Sequence, residues 1–284
     1  LYWRDKAGVF LSFLSVLILV ILYALFIFKL NLTGITDALV DEGITVEPGA
    51  VSYFINVWVF AGIVMVSTVT TGLGGLGGYV DDRVSGRFTE FVVTPVSRWQ
   101  IIVGYYLSAL AASFIMSSVV LWGGWGIIYL MEGQAPNILQ ILQAWGWAFL
   151  CAAGFSALNC MFVTFLSTVG AFVTLSTIIG ATIGFLAAAY IPEHMMPTGV
   201  VNFINVLPFA QAAALPRRAL ATDALNAASG QSPVFIETLR ESYGFDLLVG
   251  GYTLPNWLPW AVLLALIAIC GTIATIKLRH RIGR

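Results

Sequence analysis

Long apolar runs separated by short polar segments dominate the 284-residue chain. A helix needs about 20 predominantly apolar residues to cross the hydrocarbon core of a bilayer. Six stretches meet that length: 8–28, 53–78, 100–131, 138–166, 170–191 and 257–276. The run 138–192 has no Asp, Glu, Lys or Arg and is too long for one crossing. We divide it at 167–170, where Ser, Thr and Gly permit a tight turn between two helices.

A further apolar run at 198–214 is too short to cross comfortably and is interrupted by Pro208. This pattern predicts a re-entrant or interfacial hairpin before the last span. A polar stretch, 229–256, follows. We expect it to be a substrate gate, a lid or a variable loop. The expected fold is an all-α integral membrane protein in which 1–284 form one transmembrane domain, with six spans, an inner segment at 79–99 and an outer region at 192–256.

Composition agrees with a membrane protein, because 59% of the residues are hydrophobic, 10% are charged and the mean hydropathy is +0.92. A soluble domain has a far more polar balance. The chain has no basic excess, since the net charge is -1, and we therefore expect no nucleic-acid partner. Membrane lipids are the expected surroundings.

The distribution of Lys and Arg predicts the orientation. With six spans, the side that carries both termini holds nine of the 13 basic residues, and the other side holds four. The positive-inside rule then places both termini in the cytoplasm, for a multi-pass protein of the cell's inner membrane. Trp58 falls near the outer boundary, where amphipathic rings favour the headgroup zone. The chain begins at Leu1 with no visible signal peptide, and we expect residues to precede it.

The centres of the predicted spans lack charged side chains, which usually mark ion and proton pathways. Neutral polar residues remain there, and they bond either their own helix or a neighbouring one or line a path suited to apolar or amphipathic cargo. The candidate path residues are Asn56, Phe60, Thr68, Thr174 and Thr177. Pro208 and Phe209 are candidates for an outer gate. His194 and His280 lie far apart on opposite sides, so no metal site is expected, and the chain has no phosphate-binding GxxxxGK[ST] loop.

The most unusual polar segment is 81–100, which lies between two apolar runs. A helix over 82–92 would carry apolar residues on one face and charged residues on the next. These are Val84, Phe88, Phe91 and Val92 against Arg83, Arg87 and Glu90. Pro95 would end such a helix. The pattern predicts a short amphipathic helix, which either docks a partner or lies on the bilayer surface.

At these residues the chain resembles the ABC-type-2 exporter permeases. The resemblance rests on the charged residues before Ser85-Gly86, on Glu90 and on Thr94-Pro95-Val96-Ser97, which an apolar span follows. A second likeness is Asn205-Val206-Leu207-Pro208-Phe209, with Arg217-Arg218-Ala219-Leu220 after it. Where the family commonly has a Gly-Thr pair in the inner helix, this chain has Gly86-Arg87.

The resemblance implies a half-transporter. Two permease subunits, identical or different, would form the path, and each would dock a cytosolic ATP-binding cassette ATPase. ATP and Mg would bind in that ATPase, so that this chain has no catalytic site and no cofactor of its own. The family assigns the docking role to Asp82, Arg83, Gly86, Arg87, Glu90, Thr94 and Pro95.

The expected function is export of an apolar or amphipathic substrate, such as a drug, a lipid or a peptide-like molecule. A permease for lipid-linked polysaccharide is the alternative within the family. From other classes, an ion-coupled secondary carrier or a membrane-embedded lipid-modifying enzyme remains open. A carrier would be expected to show coupling-ion ligands or inverted repeats, and an enzyme would show clustered reactive side chains at an interface.

Overall fold

The computed structural model describes residues 27–87 and 98–281, and it is mostly helical. The helices are α1 (Phe28–Asp41), α2 (Ala50–Gly74), α3 (Gly77–Val84), α4 (Arg98–Glu132), α5 (Ile138–Phe165), α6 (Val169–Leu186), α7 (Thr198–Val206), α8 (Pro208–Ala228), α9 (Pro233–Ser242) and α10 (Leu258–Arg281). A 3-10 turn at Glu193–Met195 joins α6 to α7. Strands β1 (Leu248–Val249) and β2 (Tyr252–Thr253) form an antiparallel hairpin. The predicted first span, 8–28, lies almost entirely outside the described residues.

Four helical segments in the described part are long and apolar enough to cross a membrane: Ala50–Val84, Gln100–Glu132, Ile138–Phe165 and Val169–Leu186. A fifth is obtained if the bent pair α7 and α8 counts as one broken span. The described apolar part of α10, Leu258–Ala274, is shorter. The helical, multi-pass prediction is therefore confirmed in outline, while the count of six spans stays a prediction.

Helix α2 lies at the centre of the bundle and contacts α4, α5, α6 and α8. It is apolar on every face, which is the pattern of a helix buried all round. Gly75 lets α4 approach closely, since a Cβ atom at this position would lie 3.0 Å from Ala109 Cα. Hydrogen bonds also join the helices, because Asn159 donates to the Val69 carbonyl at 2.9 Å. Small residues and polar bonds of this kind hold helices together in lipid.

The ends of α5 follow local sequence signals. Asn137 and Gln140 form a reciprocal capping box at its first turn. This box was absent from our predictions, although the Asn-x-x-Gln spacing is visible in the sequence. At the other end, the predicted turn at 167–170 is confirmed, and the Thr168 hydroxyl caps α6 by accepting from the Ala171 amide at 3.1 Å.

The predicted interruption at Pro208 is also confirmed, because α7 and α8 meet there at an angle of 85°. Pro208 is the first residue of α8, where its missing N–H group costs nothing. The helix continues to Ala228, well beyond the predicted limit at 214, because the sequence after Pro208 is rich in alanine. Pro216 lies inside α8 and cannot donate to the Ala212 carbonyl, which instead accepts from the Cys151 thiol at 3.9 Å.

The stretch 229–256 is folded. It comprises α9 and the β1–β2 hairpin, and the connection between them buries Tyr243, Phe245 and Leu247 completely or almost so. The rings of Tyr243 and Phe245 pack against Phe54 of α2, with centroid separations of 5.1 and 6.3 Å. This packing disfavours the interpretation of 229–256 as a variable loop. The interpretations as a substrate gate or a lid stay predictions. We call this unit the cap.

Candidate functional site

The charged segment after α3 differs from the predicted helix over 82–92. The structure ends α3 at Val84, and 85–87 form a turn in which Gly86 adopts a φ of +77°. A left-handed glycine after the C-cap residue, here Ser85, is a common way to end a helix. A continuous helix through Arg87 is therefore wrong, and the rest of the predicted helix, 88–92, lies outside the described residues.

Asp82 organises this turn. The residue is only 8% exposed. Its Oδ1 atom accepts from Arg87 Nη1 at 3.0 Å, and its Oδ2 atom accepts from the Tyr105 hydroxyl at 2.8 Å. The Arg87 side chain is 58% exposed. A single buried carboxylate therefore joins a solvent-facing arginine to α4.

Arg83 ties the same turn to a second helix. Its Nη1 atom donates to the Thr164 carbonyl at 3.4 Å and, at a shorter distance, to the Leu166 carbonyl. These carbonyls lie at the C-terminal end of α5, where the helix leaves acceptors without a partner and where a cation is favoured. Arg83 thereby satisfies the end of α5 next to the turn into α6.

Four of the seven predicted docking residues are thus close together: Asp82, Arg83, Gly86 and Arg87. Glu90, Thr94 and Pro95 lie outside the described residues. Tyr105 was absent from our predictions, because one tyrosine in an apolar helix gives no signal of its partner. We call the group of Asp82, Arg83, Arg87 and Tyr105 the Asp82 cluster.

Three of the predicted path residues belong to α2. Asn56 donates to the Glu132 carboxylate at the end of α4. Phe60 is buried, and its ring occupies the space beside Gly124. Thr68 is fully buried and donates to the Met65 carbonyl of its own helix at 2.6 Å. Each of these side chains has a structural partner.

Thr174 and Thr177 lie elsewhere, on the exposed face of α6. Their hydroxyls donate to the carbonyls of Gly170 and Val173, four residues earlier. Within a single chain, the described structure does not bring the five predicted path residues into one cavity. The sequence grouped them by polarity and depth, which do not determine the direction of a side chain.

The predicted gate residues are half-buried and have structural roles. Pro208 starts α8, and the Phe209 ring stacks on Phe155 of α5 with centroids 5.5 Å apart. A cavity of about 290 Å³ opens elsewhere, beside the start of α2, and its lining includes Tyr53, Asn137 and Asp223. None of the predicted path or gate residues lines this cavity.

A second charged group lies beneath the cap, far along the bundle from Asp82. Arg217 of α8 is fully buried, and its guanidinium carbon is 5.1 Å from the centre of the Trp58 ring. Its Nη2 atom donates to the carbonyls of Ala187, at 3.1 Å, and Ala188, just after α6. Trp58 is completely buried and donates from Nε1 to the Tyr243 carbonyl at 2.7 Å, so this ring packs inside the protein, and its depth relative to a membrane stays a prediction.

Glu193 completes this group. It is 4% exposed, and its Oε2 atom accepts from Asn205 Nδ2 at 2.8 Å. Burial raises the pKa of this carboxyl above its ordinary value, while the Asn205 hydrogen bond and the charge of Arg217 act in the opposite direction. We call Arg217, Trp58, Glu193 and Asn205 the Arg217 cluster.

Comparison with protein-family models finds no model that matches the chain, and comparison with curated proteins finds no match either.

Proposed function

We propose that this chain is the membrane permease subunit of an ATP-driven ABC exporter and that the Asp82 cluster receives movement from a separate ATPase. The observation that carries the proposal is the construction of this cluster. More than half of the Arg87 side chain is exposed, which makes it accessible to a partner, while Asp82 connects it to Tyr105 of α4. Arg83, in the same short segment, connects to the end of α5.

This construction suits transmission of a mechanical step. A force applied to the turn would act on α2 and α3 through the chain itself, on α4 through Asp82 and on α5 through Arg83. These contacts attach the turn to α2, α4 and α5 at once. A displacement of the turn would therefore move these helices with it. ATP hydrolysis would take place in the partner, and this chain would supply no reacting group.

We further propose that the Asp82 end of the bundle faces the cytoplasm, in the inner membrane of the cell. The excess of Lys and Arg on that side of the predicted spans supports this orientation. A second permease subunit would complete the path. Helix α6 supports this part of the proposal, because most of its surface is exposed, including Thr174, Thr177 and Phe185.

The proposed cargo is apolar or amphipathic. The support is the scarcity of charged side chains within the long apolar helices, which favours greasy molecules over bare ions. A transport assay with amphipathic drugs and a lipid-linked glycan as competing substrates would separate the drug, lipid or peptide-like class from the polysaccharide alternative.

The docking role is tested by co-purifying the full chain with the products of its neighbouring genes and assaying for a captured ATPase. Reversing the exposed charge, Arg87→Glu, is expected to lower the amount of captured ATPase about tenfold, which corresponds to ~1.4 kcal/mol. Lys29→Glu is the matched control, because Lys29 is also exposed but lies in α1, away from the Asp82 cluster. Its ATPase capture should equal that of the unchanged chain.

Two results would overturn the proposal. One is equal capture of the ATPase by Arg87→Glu and by Lys29→Glu. The other is transport by the purified chain alone when an ion gradient is imposed, which would identify a secondary carrier instead.

A further inference from the structure

The Arg217 cluster has polar atoms that its protein contacts do not satisfy. Glu193 Oε1, Arg217 Nε and Arg217 Nη1 are buried and have no hydrogen-bond partner among the described residues. Buried polar atoms in folded proteins are nearly always hydrogen-bonded, either to protein or to ordered water. An atom of this kind without a partner destabilises the fold, and a charged one does so more strongly.

Two of these atoms converge on Gly244, the residue between the buried rings of Tyr243 and Phe245. A Cβ atom at Gly244 would lie 2.5 Å from Glu193 Oε1 and 2.7 Å from Arg217 Nη1. The two charged atoms therefore flank the same point without bonding each other. Gly244 also has a φ of +66°, which only glycine adopts readily, so that two separate features require a residue with no side chain here.

The charges around this point define what binds there. A metal cation would be repelled by the Arg217 guanidinium, and an anion would be repelled by the Glu193 carboxylate. A neutral molecule that both accepts and donates a hydrogen bond satisfies the two atoms together. Water is the smallest molecule with that property, and buried waters characteristically bond to two to four otherwise unpaired polar groups.

We propose that an ordered internal water binds beside Gly244 and bridges Arg217 to Glu193. Arg217 Nη1 donates to the water oxygen, and one water O–H group donates to Glu193 Oε1. The bridge joins α8 to the 3-10 turn after α6, at a point directly beside Gly244 of the cap. This proposal does not depend on the exporter function.

Radiolytic footprinting of the full chain tests the site, because hydroxyl radicals formed from a bound water oxidise the side chains next to it even when they are buried. Tyr243 and Phe245 flank Gly244 in the chain and are 1% and 0% exposed, so they should be labelled severalfold more than Phe155, an equally buried ring between α5 and α8. Labelling of both rings at the level of Phe155 would overturn the proposal.

The substitution Gly244→Ala places a methyl group between the two charged atoms and should lower the labelling of Tyr243 and Phe245 to the level of Phe155. Gly250→Ala is the matched control, because Gly250 has a φ of +60° and open space around it, so that it introduces backbone strain without filling a site. Unchanged labelling in Gly244→Ala would contradict the proposal.

If Gly244→Ala does not fold, Glu193→Leu provides an independent test. Leucine removes the carboxylate acceptor and leaves Gly244 intact, and the labelling of the two rings should again fall severalfold. Persistent labelling in this variant would show that the water, if any, is not held by Glu193, and would overturn the bridge.

Discussion

The arginines of the two charged clusters differ in their exposure and in their partners. At the Asp82 cluster, Arg87 forms a direct ion pair at 3.0 Å and remains 58% exposed. In the Arg217 cluster, the arginine is completely buried, and its contacts are two carbonyls and the face of Trp58. The first arrangement leaves a charge available to a partner. The second uses a charge to hold the interior together.

The difference follows from the cost of burying an ion. The pair at Arg87 contributes little to stability, because the arginine is hydrated with or without its partner and the buried Asp82 also accepts from Tyr105. A buried charge loses that solvation and is tolerated only when surrounding groups replace it. Removing Arg87 should therefore affect binding more than folding, whereas removing Arg217 should affect folding first.

The largest effect is expected from Arg217→Ala, which leaves Glu193 buried without a nearby positive charge and removes the cation over Trp58. The free energy of unfolding should fall by about 3–5 kcal/mol. Thermal unfolding of the detergent-solubilised protein, followed by tryptophan fluorescence, measures the loss.

The neighbouring Arg218→Ala is the matched control for this variant. Arg218 is partly exposed, donates to the Phe245 carbonyl at 2.7 Å and lies 3.7 Å from Asp246. Its removal should cost about 1–2 kcal/mol. Equal losses in the free energy of unfolding for the two variants would show that the buried Arg217 contributes no more to stability than the partly exposed Arg218.

A smaller loss is expected from added methyl groups at two glycines, one within α2 and one directly after it. At Gly62, near the Arg217 cluster, a Cβ atom would lie 2.9 Å from Ala189 Cβ and 3.0 Å from its Cα. Gly62→Ala should lower stability by about 1–3 kcal/mol. Gly75→Ala, near the Asp82 end, should cost less, because only one atom, Ala109 Cα, would lie as close as 3.0 Å. The reverse order in thermal unfolding would show that the Asp82 end is the more tightly packed.

The dependence of stability on pH tests the Arg217 cluster, because Glu193 belongs to it. Because burial raises its pKa above the unfolded value, its contribution to stability is fully present below the ordinary glutamate pKa and is lost as the pH rises through the raised pKa. We expect the unfolding temperature to decrease as the pH rises from the ordinary glutamate pKa through the raised pKa of Glu193. This decrease should be smaller than the losses caused by Arg217→Ala and by Gly62→Ala. Glu193→Gln should remove this dependence, and its persistence in the variant would assign it to another group.

The smallest effect on stability is expected from Arg87→Gln. Arg87 is exposed, and the buried Asp82 keeps its hydrogen bond from Tyr105 and can still accept from glutamine, so the change should stay below about 1 kcal/mol. Capture of the proposed ATPase should nevertheless fall clearly. A stability loss as large as that of Arg217→Ala would indicate that the exposed pair holds the fold, contrary to the comparison above.

Much of the helical layout was predictable from local signals. The break at 167–170 and the interruption at Pro208 were located correctly, because caps and proline act within one turn of the chain. The end of α3 was missed, although Gly86 stood in the sequence. Amphipathic spacing across 82–92 favoured a continuous helix, and the left-handed glycine ended it.

The clusters themselves were only partly predictable. Asp82, Arg83, Gly86 and Arg87 were grouped correctly because they are neighbours in the chain. Tyr105 and the carbonyls at the end of α5 were missed, since they come from other helices. In the Arg217 cluster, Asn205 and Arg217 were noted only as part of a family likeness, and their contacts with Glu193 and Trp58 were missed because these residues come from other segments.

The sequence by itself determined which segments become helices, where most of them end and that several are apolar enough to cross a membrane. These properties depend on residues a few positions apart. Only the tertiary structure decided which charges are buried and what surrounds them. Arg217 and Arg218 are adjacent in one helix, yet the first points into the bundle toward Trp58 and the second toward Asp246. Burial depends on the helices that surround a side chain, and the packing of distant segments sets those neighbours.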